Sequence, residues 1–117
     1  MATIKSYTSL EQSRKLAEIL PLESADMYYF DDNGGEPSFK VRNGITYYYD
    51  SEDCLCCWSL AALLSVLPYG YSSILTKSFN GKDYCCKIDG KPFETEAENP
   101  VDACVAMIER LNELNLL

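Results

Sequence analysis

The chain has 117 residues, 47% of them hydrophobic, and sets 18 acidic against 10 basic side chains, a formal charge of −8 with no histidine. That length can bury a core without disulfide or metal staples, so one domain is expected over 1–117. The charge repels phosphates and disfavours nucleic acid as a partner, and the missing imidazole removes the usual proton acceptor of a serine or cysteine nucleophile.

No apolar run reaches the roughly 18 residues of a membrane span. The polar start Met1-Ala2-Thr3-Ile4-Lys5-Ser6 lacks the apolar segment of a secretory leader. A cytoplasmic location away from membranes is the expectation, with six cysteines kept reduced as small buried hydrophobes.

Thr8 with Glu11, or Ser9 with Gln12, signals a capping box, and Leu10, Ser13, Leu16, Ala17 and Leu20 then share one helix face until Pro21 ends it. From Asp26 the period changes to two. Strands are predicted at 27–30, 39–42 and 45–49, separated by Asn33-Gly34-Gly35 and by Asn43-Gly44. A second helix is predicted on the run Cys54-Leu55-Cys56-Cys57-Trp58-Ser59-Leu60-Ala61-Ala62-Leu63-Leu64, stopping at Leu67-Pro68. Beyond its first turn only Ser59 and Ser65 are polar, which calls for burial on nearly all sides.

Three further strands are predicted at about 71–79, 82–88 and 91–95, joined by Asn80-Gly81 and Asp89-Gly90. Asn99 then caps a last helix with Pro100 at its first position, Asp102 in its first turn, and Val101, Cys104, Val105, Ile108, Leu111 and Leu114 along one face. The fold class is α+β in the order α-βββ-α-βββ-α: an antiparallel sheet from two three-stranded meanders, three helices, and a buried central helix.

Several stretches resemble a known group. The start from Thr3 to Ser13, the segment Ser24-Ala25-Asp26-Met27-Tyr28, the run Cys57 to Leu64 and the closing Asn99 to Leu117 are similar to small uncharacterised proteins encoded by gut bacteria and their phages. The resemblance spans nearly the full length. It implies an accessory protein of phage or mobile-element type acting inside a bacterial cell, and it carries no activity, cofactor or catalytic residue.

The cysteines invite three chemical readings. Cys54-x-x-Cys57-Trp58 imitates the nucleophile run of papain-like proteases, but no histidine is present to hold a thiolate. The same pair imitates a thioredoxin-type redox motif, yet its neighbours read as antiparallel hairpins, and Glu52 and Asp53 would raise a nearby thiol. Cys54, Cys57, Cys85 and Cys86 could supply four zinc ligands, but adjacent residues on a strand face opposite ways. No metal or cofactor is expected. With two-residue turns, Lys77 pairs with Tyr84, Leu75 with Cys86, and Cys86 with Phe93. Leu75, Cys86, Ile88 and Phe93 then face the core, and Cys85 lies beside Thr76 and Glu94 as the most accessible thiol.

Nine tyrosines are a second excess. A two-residue Asn43-Gly44 turn places Phe39, Val41, Thr46 and Tyr48 on one face and Lys40, Arg42, Ile45, Tyr47 and Tyr49 on the other. Lys40, Arg42, Tyr47 and Tyr49 form the candidate partner-binding face, an aromatic and basic patch on an acidic protein. Walker, dinucleotide-binding and nucleophile-elbow motifs are absent. The function expected is a non-enzymatic binding module for a protein or small ligand. Two alternatives stand beside it: a cysteine-dependent enzyme using Cys54 or Cys57 at a helix N-terminus, with a carboxylate, a lysine or a partner chain as base, and a structural subunit of a homo-oligomer.

Overall fold

A computed structural model describes residues 6–31, 39–43, 54–67, 73–77, 81–88 and 92–117, with the backbone alone at 30, 31, 39–43, 54, 73 and 74. Three helices and two antiparallel sheets make an α+β protein, the class that the changes of sequence period require. Contacts group the described residues into two compact units, Tyr7–Ala62 and Leu63–Leu117.

The first unit opens with α1 (Leu10–Ile19), which starts where the capping box places it. The Ser9 hydroxyl accepts from the Gln12 N–H at 3.2 Å, and the Ser9 N–H donates to Gln12 Oε1 at 3.0 Å. Ser13 and Leu16 face inward, and Pro21 ends the helix. A 3-10 turn at Leu22–Ser24 leads into β1 (Met27–Asp31), followed by β2 (Phe39–Asn43) and β3 (Cys54–Cys57). Their spatial order is β2-β1-β3. Among the described strands β1 takes the centre, and β3, a run expected to be helical, pairs with it, Met27 opposite Cys57 and Tyr28 opposite Cys56. The predicted strand 45–49 and its Asn43-Gly44 turn lie outside the described residues.

A second correction concerns the cysteine run. Cys54 to Cys57 are a strand and not the opening of a helix. The physical reason is coverage on both faces. Neighbours on a strand point opposite ways, yet Cys56 and Cys57 are both buried. Helix α1 packs against β3 and the Thr8 segment meets Cys57, whereas the Cys56 thiol reaches the Leu22 carbonyl of the 3-10 turn at 3.9 Å. A short run that is apolar on both faces carries no period with which to tell helix from strand.

Helix α2 (Leu60–Ser65) starts three residues after β3 and spans the division between the two units. Its expected burial on all sides is corrected to one side: Ala62 and Leu63 are buried, while Ala61, Leu64 and Ser65 are exposed. At six residues it is too short to close a full apolar surface around itself.

The second unit follows the expected meander. Strands β4 (Ser73–Lys77), β5 (Tyr84–Ile88) and β6 (Glu94–Ala97) pair in sequence order. Leu75 sits opposite Cys86 and Lys77 opposite Tyr84, the register of a two-residue Asn80-Gly81 turn. Gly81 has φ +73°, the left-handed geometry that such a turn demands of its second residue. Lys77 extends its ammonium over the Tyr84 ring at 5.8 Å from the centroid. On the other side Cys86 faces Thr95 and not Phe93. The Ile88 N–H donates to the Phe93 carbonyl at 3.3 Å, so 89–92 connect the strands. A slip by two residues preserves every face.

Helix α3 (Pro100–Glu113) lies on β5 and β6. Asn99 Oδ1 accepts from the Asp102 N–H at 2.8 Å, Pro100 occupies the first turn, and Val101, Cys104, Val105, Ile108 and Leu111 face inward as the period predicts, whereas Leu114, expected on the same face, caps the helix end and is exposed. Asn115 at φ 57° turns the chain out of the helix, and the Leu116 N–H returns to the Leu111 carbonyl at 2.8 Å. Among the described residues no helix is long and apolar enough to cross a membrane.

Candidate functional site

Four of the five described thiols fall into three groups. The first surrounds Thr8, which follows the antiparallel bridge between Tyr7 and Ser59. The Thr8 N–H donates to the Trp58 carbonyl at 3.0 Å, but the returning Trp58 N–H goes to the Thr8 hydroxyl at 3.2 Å. That exchange releases the Thr8 carbonyl for side chains: Tyr29 Oη donates to it at 2.7 Å and Cys57 Sγ at 3.5 Å. The Thr8 hydroxyl also meets Ser13 Oγ at 2.8 Å and Cys57 Sγ at 3.6 Å.

One assignment satisfies every group. Ser13 and the Trp58 amide donate to Thr8 Oγ1, Thr8 donates to Cys57 Sγ, and Cys57 and Tyr29 donate to the Thr8 carbonyl. Every member is neutral. Thr8, Ser13 and Cys57 are 0% exposed, and burial pushes the Cys57 thiol above its ordinary value despite the hydrogen bond from Thr8 that pulls the other way. Burial, then the neighbouring Cys57 and Tyr7, raise Tyr29 as well, whose ring meets Tyr7 edge-on at 6.3 Å. The arrangement ties the segment before α1 to the end of β3 and holds its thiol protonated.

Beside it, Asp26 accepts from both the Ser59 N–H, at 2.9 Å, and the Ser59 hydroxyl. Ser59 Oγ in turn accepts from the Ala62 N–H at 3.2 Å. This chain from carboxylate to hydroxyl to amide orients the start of α2. The Trp58 indole, fully buried, donates to Ser24 Oγ at 2.9 Å. Neither Thr8 as a hub nor Asp26 as a support was readable: Thr8 reads in sequence as a rival N-cap, and Asp26 as the approach to a strand. The signal available for the second was Ser59 three residues before Ala62.

The second group is Cys85. It lies on the expected face of β5, opposite Thr76 and Glu96, but the expectation of an accessible thiol is corrected, because Cys85 is only 6% exposed. Its Sγ donates to Glu94 Oε1 at 3.0 Å. Burial first, then the Glu94 hydrogen bond and charge, push the thiol up to about 11. At neutral pH it is a thiol and not a nucleophilic thiolate.

The third group is Cys86 on β5 and Cys104 on α3, both 0% exposed.

Of the sequence-selected residues, Cys54 and Cys57 are the first and last of β3, so acidification by a helix N-terminus does not act on either. Lys40 and Arg42 alternate along β2, opposite Phe30 and Tyr28 of β1, while Tyr47 and Tyr49 lie outside the described residues. Among the described residues, no three histidine, cysteine, aspartate or glutamate side chains converge as a metal site. No family model, no curated protein and no solved structure matches the chain, and its functional reading rests on the chemistry of these residues.

Proposed function

We propose that the chain is a non-enzymatic binding module, an accessory protein of phage or mobile-element type that engages a protein or small ligand inside a bacterial cell. The observation that carries the reading is the state of the thiols. Cys57 and Cys85 are buried, protonated and already committed to hydrogen bonds, which is the condition of structural side chains and the opposite of an activated nucleophile. The recognition surface proposed is Lys40, Arg42, Tyr47 and Tyr49. In its support, Lys40 and Arg42 occupy alternate positions on β2, an outer strand of the described sheet, and two cations stand out against a chain of net charge −8.

The test is retention of bacterial lysate components on the immobilised chain and on its K40E/R42E variant, both first shown by circular dichroism to be folded. A component retained by the first, lost by the second and released by salt is the expected result. Equal retention by both removes this surface from the proposal. Rapid alkylation of Cys54 or Cys57 in the native protein near neutral pH would instead support the cysteine-enzyme reading.

A further inference from the structure

The Cys57 thiol is held by one residue from two sides. In the hydrogen-bond assignment that satisfies every group, the Thr8 hydroxyl donates to Cys57 Sγ at 3.6 Å, and Cys57 Sγ donates to the Thr8 carbonyl at 3.5 Å. The sulfur is acceptor and donor at once, and only its protonated form is both. The local backbone gives this hold its weight. Beside the Tyr7–Ser59 bridge, the Thr8 N–H reaches the Trp58 carbonyl at 3.0 Å, but the Trp58 N–H goes to the Thr8 hydroxyl and not to the carbonyl. That carbonyl is left to side chains, Tyr29 Oη at 2.7 Å and the thiol, so a proton on sulfur stands where a second backbone bond would otherwise run.

We propose that this proton is a lock: the Cys57 S–H holds the segment before α1 to the end of β3, and its loss on alkalinisation weakens the first unit. The proton passes to hydroxide, which becomes water. A thiolate in this position still accepts from the Thr8 hydroxyl, but it has nothing to donate and sets a negative charge 3.5 Å from a carbonyl oxygen.

The groups packed around Cys57 oppose that charge. Cys57 is 0% exposed. Ahead of β1 the Asp26 carboxylate adds its repulsion, and on β1 Tyr29 is a neutral phenol with the Tyr7 ring edge-on to it. Helix α1 turns Ser13 and Leu16 inward, while its charged residues Glu11, Arg14, Lys15 and Glu18 are exposed. Burial first, against the pull of the Thr8 hydroxyl, keeps the folded thiol protonated where the unfolded chain already releases its proton. The lock is therefore fully engaged at and below neutral pH, and its contribution falls as pH rises above the ordinary thiol value.

Trp58, the chain's single tryptophan and the residue after Cys57, reports on the unit. Urea unfolding followed by its fluorescence, with thiols kept reduced, is compared at pH 7 and pH 10 for the full-length wild-type chain, C57S and C57A. Serine keeps a donor and an acceptor and does not ionise in this range; alanine keeps neither. At pH 7, C57S should unfold at higher urea than C57A. Between the two pH values the folding equilibrium of the wild type should fall by up to about tenfold more than that of C57S, since the other groups titrate in both chains. Equal falls in the wild type and C57S overturn the proposal. So does a C57A chain at least as stable as C57S at pH 7, which would reduce the thiol to a filler of space. If neither variant folds, a wild-type midpoint unchanged from pH 7 to pH 10 overturns it.

Discussion

Among the described residues the two sheets have the same strand count and the same antiparallel pairing, yet they are held to their helices by different means. In Tyr7–Ala62, β1 is central among the described strands and β3 pairs back to it, and a buried set of hydroxyl, thiol, amide and carbonyl groups centred on Thr8 joins the segment before α1 to the end of β3. In Leu63–Leu117 the strands pair in sequence order, and α3 is seated by a broad apolar face and a threonine bridge. Nonlocal pairing closes longer loops and gives less local information for register. A directional polar network compensates, since a hydrogen bond fixes geometry that apolar contact leaves adjustable.

The largest effect should come from the apolar anchor of the first unit. Trp58 is the chain's single tryptophan, is 0% exposed, and has its indole N–H satisfied by Ser24. Trp58→Ala removes the ring and leaves a cavity, and a loss of about 3–5 kcal/mol is expected from urea unfolding followed by circular dichroism. A loss under about 1 kcal/mol would mean that the site collapses around alanine, and that the first unit is less tightly packed than its burial implies.

The contrast between network and bridge is tested by one isosteric change in each unit. Thr8→Val removes an oxygen that serves Ser13, Cys57 and the buried Trp58 amide. It leaves that amide without its acceptor, at a cost of about 2–3 kcal/mol. Thr95→Val removes a donor to the Ala103 carbonyl, an oxygen placed to keep its own helical partner within α3, and about 1 kcal/mol is expected. Equal losses would end the distinction drawn between the two units.

The same contrast explains what could be read from the residues. Both long helices were legible because their starts are local: Ser9 with Gln12, and Asn99 before Pro100, are satisfied within three residues. The β4–β5 register was legible because Asn80-Gly81 sets it, and the faces of β5 survived even where 89–92 proved a longer connection than Asp89-Gly90 alone. By contrast, β3 was hidden. Cys54 to Cys57 carry no alternation, and the partners that make the run a strand are Met27 to Phe30, far back in the chain. The face of Cys85 was predictable by parity, but its burial was not, because parity says which way a side chain points and nothing of what folds over it. Of the basic and aromatic patch, only the backbone positions of Lys40 and Arg42 fall among the described residues.

The smallest effect isolates charge from burial at Cys85. Its folded thiol is raised to about 11 from an ordinary 9.0, by burial first and by Glu94 next. Below the ordinary value the thiol is protonated in both states and pH leaves stability unchanged. Between about 9 and 11 the unfolded chain releases the proton that the folded chain keeps; fewer protons are then bound on unfolding, and stability falls as pH rises through that window. Cys57 and Tyr29, also raised by burial, act in the same direction within the first unit. Glu94→Gln keeps an oxygen to accept from the thiol but removes the negative charge that opposes a thiolate. The Cys85 pKa should therefore move part of the way back toward 9, with the burial contribution left in place. Thiolate ultraviolet absorbance against pH, with a Cys85→Ala variant subtracted, reads the value directly. A Cys85 that titrates unchanged in the glutamine variant would assign the whole shift to burial, and Glu94 would then be a neighbour of the thiol without electrostatic hold on it.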